Sequence, residues 1–517
     1  MSSQRSKFMA LVAAFLGWLF DGFEMGLFPL IGKPALLDLL PAATQAARDQ
    51  WFTDIIAVFL VGAATGGVLF GWLGDKMGRV KAMTLAIFTY AIFTGLGAFV
   101  KDPTQFAILR FVASLGMGGE WSLGVALVNE LWAGQKRTWI AGMIGAASNI
   151  GFLLTGILSL TFKAFLLNIT HLINSMGLSE NVSTFLLSHD AWRLLAVSGA
   201  LPALINFFIL IFVPESHKWE EEKNAGKTSH WVTSDLWTVG LASVAVLGII
   251  FVWSPLWKYS EDTDPWALRV ALPAVLTLIG LAVALWGYLH PVRRYVDRSS
   301  QAHDAIPGAL DHVFGKLLLG AGLAGVALLG TWGSAQPSAK WASGLLPQGS
   351  TTHLIEYTVI ALALGAIAIT LITPFVADIM GRRVTYTILC AASLASALAF
   401  FKLNTPFPSS EVPFYFYISA FLLGGITASF YGFFPLYFPE LFPTSVRATA
   451  QGFCFNFGRV IAAVGSLQLG NLTKFLSGGH ASGVAASGNA YCILCAVYVV
   501  GMILVWFCPE TKGKALV

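Results

Sequence analysis

Apolar runs of about 20 residues recur along the entire chain, and each is long enough for an α-helix rising 1.5 Å per residue to cross a bilayer. The runs fall at residues 9–31, 52–73, 82–100, 104–131, 138–161, 191–213, 234–254, 267–290, 316–335, 354–376, 384–401, 414–437, 448–471 and 488–508. They predict an all-α membrane protein with about fourteen spans. Soluble domains carry about 25% charged residues. This chain has 11% charged and 56% hydrophobic residues and a mean hydropathy of +0.72, too little polar material for a water-facing surface.

The first run contains Asp21 and has no small-residue cleavage site, so it is expected to stay as a span. Basic residues cluster in alternate connections, among them Lys76, Arg79, Arg137, Arg293, Arg294, Arg382, Arg383 and Arg447. The positive-inside rule then places both termini in the cytoplasm of a plasma or inner membrane. Cys492 and Cys495 have the spacing of a metal or redox pair, but no second pair accompanies them. No metal or cofactor is expected, and nothing suggests a nucleic-acid partner.

The chain repeats itself. "GWLGDKMGRV" at 71–80 and "PFVADIMGRR" at 374–383 share D-x-M-G-R; "NELWAGQKR" at 129–137 and "PELFPTSVR" at 439–447 share Glu-Leu with an Arg seven residues after the Glu; "PES" at 214 matches "PET" at 509. Three matches in one order imply two homologous six-helix halves, 1–213 and 316–517, with the substrate site between them. Residues 214–315 then form a cytoplasmic linker carrying an inserted two-helix hairpin.

These motifs resemble those of the major facilitator superfamily over essentially the whole chain. "PESHKW", "PELFPTSVRATAQGF" and "PETKG" are similar to sugar-porter corners, whereas "WLFDGFEMG" and "GMGGEWSLG" resemble proton-coupled organic-anion symporters of the sialic acid, lactate and aromatic-acid types. The resemblance implies two six-helix bundles in a pseudo-two-fold arrangement, working by alternating access as a monomer. Two departures stand out: Glu24 lies where anion carriers usually have Asp, and "GTWGSAQPSAKW" lacks the paired glutamines of sugar porters.

Charges at the ends of the spans fit a gate. Asp75, Arg79, Glu130, Arg137 and Glu215 in the first half, with Asp378, Arg382, Arg383, Glu440, Arg447 and Glu510 in the second, form one pseudo-symmetric set. By resemblance they hold the inner gate closed; otherwise they only solvate loop ends, where a single ion pair is worth about 0–1 kcal/mol. Repetition of the set in both halves favours the gate.

An ionisable residue at bilayer depth needs a cavity or a partner. Asp21 and Glu24 share one face of the first span. Two carboxylates so placed are candidates to carry protons, since none of the nine histidines lies in the interior of a span and His290 only ends the run 267–290. Glu120 is either a further proton site or a structural partner for a basic residue. Arg110 either snorkels to the surface or helps capture an anion. Arg459 lies about eleven residues, roughly 16 Å, into its span. Asn149 is its counterpart in the first half, and Asn456 lies one turn away. A guanidinium fork matches a carboxylate, though Arg459 could equally hold a permanent salt bridge to Asp21 or Glu24. Trp121, Trp332, Gln336 and Tyr431 are candidate wall residues, with interfacial belts as the alternative for the tryptophans.

Together these features predict a transporter that moves a small organic anion, a monocarboxylate such as sialate or a lactate-like acid, with protons. A sugar or polyol carrier is the alternative. An enzyme is not expected, because the spans gather no catalytic His or Cys group.

Overall fold

The computed structural model describes residues 4–132, 136–177, 179–200, 204, 207, 211–254, 267–302, 312–347, 353–478 and 483–514. Among them every regular element is helical, as the bilayer requires, since a helix satisfies its own backbone groups. The first bundle contains α1 (Gln4–Leu39), α2 (Gln45–Met77), α3 (Arg79–Leu96), α4 (Pro103–Leu131), α5 (Lys136–Ser175) and α6 (Glu180–Ser198). A surface helix, α7 (His217–Asn224), leads to the hairpin α8 (Trp237–Trp253) and α9 (Leu272–Gln301). The second bundle contains α10 (Val313–Trp332), α11 (Ala335–Ser343), α12 (Leu354–Met380), α13 (Arg382–Leu403), α14 (Phe414–Ala428), α15 (Phe430–Leu441), α16 (Arg447–Leu467), α17 (Leu469–Leu476), α18 (Val484–Cys495) and α19 (Val497–Leu504).

Twelve described helical stretches are long and apolar enough to span a membrane. Two runs read from the sequence are not among them. Run 191–213 lies partly outside the described residues. Run 448–471 is α16, which carries Arg447, Gln451, Asn456 and Arg459 and is therefore less apolar. Local chemistry sets several boundaries. Asp102 caps α4 through the Gln105 N–H at 2.9 Å, with Pro103 in the first turn. Thr44 caps α2 in the same way.

The stretch 162–190, which lies between two of the apolar runs read from the sequence, is mostly helical among its described residues. No Gly or Pro interrupts residues 157–176, so α5 runs on to Ser175, about 60 Å in all and twice the hydrocarbon thickness.

The bundles meet along two seams, α2 against α16 and α5 against α12. Small residues allow the close approach: a Cβ on Gly67 would lie 2.0 Å from Asn456, and one on Gly142 would lie 2.9 Å from the Leu371 carbonyl. The hairpin covers the first seam. Thr65 of α2 lies 2.7 Å from the Ser243 hydroxyl of α8 and 3.0 Å from the Tyr288 hydroxyl of α9. Beyond the membrane end of α8, Trp231 stacks on Tyr295 at 4.4 Å and donates to the Ser445 carbonyl of the second bundle at 3.3 Å.

Candidate functional site

The two D-x-M-G-R corners sit on one face of the molecule, and both turn through a glycine with positive φ, 113° at Gly78 and 91° at Gly381. That conformation lets a carboxylate cap the following helix. Glu215 accepts from the N–H groups of Arg79 and Val80, and Glu510 from those of Arg382 and Arg383.

Each corner also captures the opposite bundle. Arg79 reaches Asp75 at 2.6 Å, Glu130 at 3.1 Å and, across the seam, the Thr444 carbonyl at 2.8 Å. Arg447 crosses the other way to Glu130 at 3.0 Å, and Asp75 accepts from the Thr449 N–H and hydroxyl at 2.8 and 2.6 Å. The second corner repeats the scheme: Arg382 binds Asp378 at 2.9 Å and Glu440 at 2.8 Å, Arg137 crosses to Glu440 at 3.1 Å, and Thr138 donates to Asp378. Arg383 stays within its own bundle, donating to the Cys508 carbonyl at 2.7 Å. Lone solvated loop charges would not bond across two seams; seven of the eleven charged residues, Asp75, Arg79, Glu130, Arg137, Asp378, Glu440 and Arg447, do so, and each corner has the geometry of a latch.

The two latches differ in burial. In the first, the side chains of Asp75, Arg79, Glu130 and Arg447 are all 0% exposed. In the second, Asp378 is 43% exposed and Arg137 11%.

The caps differ as well. Burial pushes the Glu215 carboxyl above its ordinary 4.5, against the Ser216 and Val80 N–H groups and Arg79. Burial also acts on Glu510, but the N–H groups of Arg382, Lys512, Arg383 and Thr511 outweigh it and hold that carboxyl below 4.5. A lowered carboxyl contributes stability above its unfolded value and loses it as pH falls through the folded one; a raised carboxyl contributes below and loses it as pH rises. Thermal unfolding followed against pH should therefore show Glu510→Gln losing stability relative to the parent as pH rises toward about 4.5. Glu215→Gln should gain relative stability as pH rises above that value. Parallel pH profiles for the two variants would contradict the assignment.

A central cavity of about 100 Å³ lies between the bundles. Its polar lining includes Ser148, Asn149, Thr331, Gln336, Thr427 and Arg459. Aromatic walls come from Trp18, Phe152, Trp332, Tyr431 and Phe455. Of the residues selected from the sequence, the structure brings Arg459, Asn149, Trp332, Gln336 and Tyr431 together around this cavity. Sequence reasoning missed Trp18, one turn before Asp21, and Phe455, one turn before Arg459. The Arg459 guanidinium lies 5.4 Å from the Phe455 ring centre, and its Nη1 is buried with no hydrogen-bond partner.

Three sequence-selected residues do not line the cavity. Trp121 stacks behind Phe455 at 4.0 Å and 18°. Asn456 is rotated toward α4, donating to the Gly118 carbonyl at 3.0 Å and the Gly452 carbonyl at 2.9 Å, so it joins the bundles. Arg110 neither snorkels nor reaches the cavity. It is 4% exposed, ion-paired with Glu24, and lies 4.7 and 4.8 Å from the Phe28 and Phe59 rings.

Glu24 is thus committed to Arg110. Asp21 instead has Glu120, Arg459 and Glu24 as its charged neighbours, and no N–H donor bonds either of its oxygens. Glu120, from α4, therefore faces Asp21 across the buried centre.

Comparison with known proteins agrees with this architecture. The Major Facilitator Superfamily model matches residues 10–355. The chain is 25% identical to a probable 4-methylmuconolactone transporter of Cupriavidus pinatubonensis, over 98% of this chain and 91% of that protein. It is 24% identical to the cis,cis-muconate transport protein of Acinetobacter baylyi, over 99% of this chain and 98% of that one. Its fold is similar to that of the proton:xylose symporter XylE, with a TM-score of 0.65 at 17% identity, covering 100% of this chain and 98% of that one. Twelve candidate spans, two latched bundles and a cavity between them, with the family match across two thirds of its length, make this chain a multi-pass membrane transporter of the Major Facilitator Superfamily.

Proposed function

We propose that the protein is a proton-coupled symporter of a small organic anion, a monocarboxylate, working by alternating access. The latch face is cytoplasmic in this reading, in a plasma or inner membrane, and the closed latch corresponds to a site facing away from the cytoplasm. The observation that carries it is Arg459: a buried guanidinium with an unpartnered Nη1, in a cavity walled mostly by apolar and aromatic groups. A polar group buried without a partner costs free energy, and a carboxylate supplies the two acceptors that a guanidinium fork fits.

Protons enter through Asp21 and Glu120, two carboxyls that face each other beside Arg459. Two like charges held together in a dry site disfavour double ionisation, so protons are held there and released as the site opens. Glu24 acts through its pair with Arg110, positioning the helix that carries Asp21. The relatives named for muconate and a muconolactone support organic-acid cargo. A sugar or polyol remains the second reading, favoured by the amides of Asn149 and Gln336 and the hydroxyls of Ser148 and Thr331.

Proteoliposome uptake of labelled lactate, sialate, benzoate, cis,cis-muconate and glucose under an imposed pH gradient tests the proposal. Accumulation of at least one of the monocarboxylates lactate, sialate and benzoate, with no glucose accumulation, is expected. Glucose accumulation with no carboxylate uptake would replace the anion reading with the sugar one.

A further inference from the structure

We infer that the transporter carries one proton with each singly charged anion, so that a complete cycle moves no net charge; this rests on the symport reading above. The inference comes from a charge count. Asp21, Glu24, Glu120, Arg110 and Arg459 form one buried cluster, each between 1% and 5% exposed. They come from α1, α4 and α16. Among the described residues, the other titratable groups facing them are the Tyr90 phenol of α3 and the Tyr431 phenol of α15, and an ordinary phenol is neutral below about pH 10.

Three carboxyls and two guanidiniums leave the fully ionised cluster one negative charge in excess. Guanidinium does not surrender its proton in proteins, so the excess can be removed only by protonating a carboxyl. Net charge buried at bilayer depth is costly, which makes the neutral, singly protonated cluster the form that crosses empty. Glu24 is held in its ion pair with Arg110. The resident proton therefore belongs to the facing pair, Asp21 and Glu120.

A monoanion on Arg459 restores one negative charge. A second proton, taken from water on the loading side onto the remaining carboxylate oxygen of that pair, makes the loaded cluster neutral again. On the far side the anion leaves, and that O–H bond breaks to return the proton to water. A fully ionised dicarboxylate would need a third proton, and the only carboxyl left is the paired Glu24. The cluster thus selects singly charged anions.

The count is testable with the full chain in proteoliposomes, using labelled lactate, sialate and benzoate as probes. A pH gradient alone should accumulate the transported probe about tenfold per unit of pH difference, and an inside-positive potassium diffusion potential alone should accumulate none. Either Asp21→Asn or Glu120→Gln alone leaves one proton site for the loaded state, so coupling persists. Asp21→Asn combined with Glu120→Gln changes the empty sum from minus one to plus one. The anion alone then neutralises the site, and uptake becomes insensitive to the pH gradient and driven by potential. Accumulation by potential in the parent protein, or retained pH-driven accumulation in the double variant, overturns the count while leaving symport standing. If no carboxylate accumulates or exchanges in the parent protein, the symport reading itself falls.

Discussion

Arg459→Ala is expected to weaken binding of the transported carboxylate by about 30-fold to 1,000-fold or more, and to abolish its accumulation. Truncating one partner of a buried, hydrogen-bonded charge pair costs about 2–5 kcal/mol, and each 1.4 kcal/mol is about tenfold in affinity. Arg459 has no side-chain hydrogen-bond partner at Nη1 to redirect, so no internal contact replaces the lost ligand. Arg459→Lys keeps the charge but loses the planar fork, and should fall between the parent and the alanine variant. Titration calorimetry of the purified protein with whichever carboxylate exchanges in counterflow measures all three. Parent-like affinity in Arg459→Ala would remove this residue from the binding site, and with it the anion reading of the cavity.

The fold and the latch were legible because they are written twice. Span length set the helices, and the duplicated D-x-M-G-R, Glu-Leu-to-Arg and Pro-Glu corners implied two bundles with matching charged ends at one face. The centre was only partly legible. Depth along a helix placed Arg459, and symmetry placed Asn149. Depth alone does not fix rotation, which is why Asn456, three residues from Arg459, points to the Gly118 carbonyl instead of the cavity. Pairing was not legible either. Glu24 and Arg110 are 86 residues apart, and no local pattern states that α4 delivers Arg110 to Glu24 and Glu120 to Asp21. The carboxylate pair read along one helix, Asp21 with Glu24, is therefore replaced in space by a pair from two helices.

The largest conformational effect is expected from Arg447→Ala. Among the described residues, Arg447 is the one charged group that the second bundle sends to Glu130, which it meets at 3.0 Å with both side chains 0% exposed. Removing one partner of a buried pair costs about 3–5 kcal/mol because the other charge stays buried. Arg79 and Ser216 still bond Glu130, so the loss falls at the lower end of that range and applies only to the latched state. A cost of about 3 kcal/mol shifts the equilibrium between latched and open forms by roughly 100-fold. Arg137→Ala removes the symmetry-related contact to Glu440, but Arg137 is 11% exposed where Arg447 is 0%, and Arg382 and Thr511 still bond Glu440, so the shift is smaller. Spin labels on Asn224→Cys and Lys514→Cys, both exposed on the latch face, report the separation by electron–electron distance measurement. Arg447→Ala should add a long-distance population, and Arg137→Ala a lesser one. Unchanged distances in Arg447→Ala would mean that the crossing pair does not hold the bundles together. A latch of this size also constrains transport. An anion can open the closed face only if its interactions, and those of its proton, favour the open or occluded forms by a comparable few kcal/mol, and Arg459 with the Asp21–Glu120 pair is where that difference must arise.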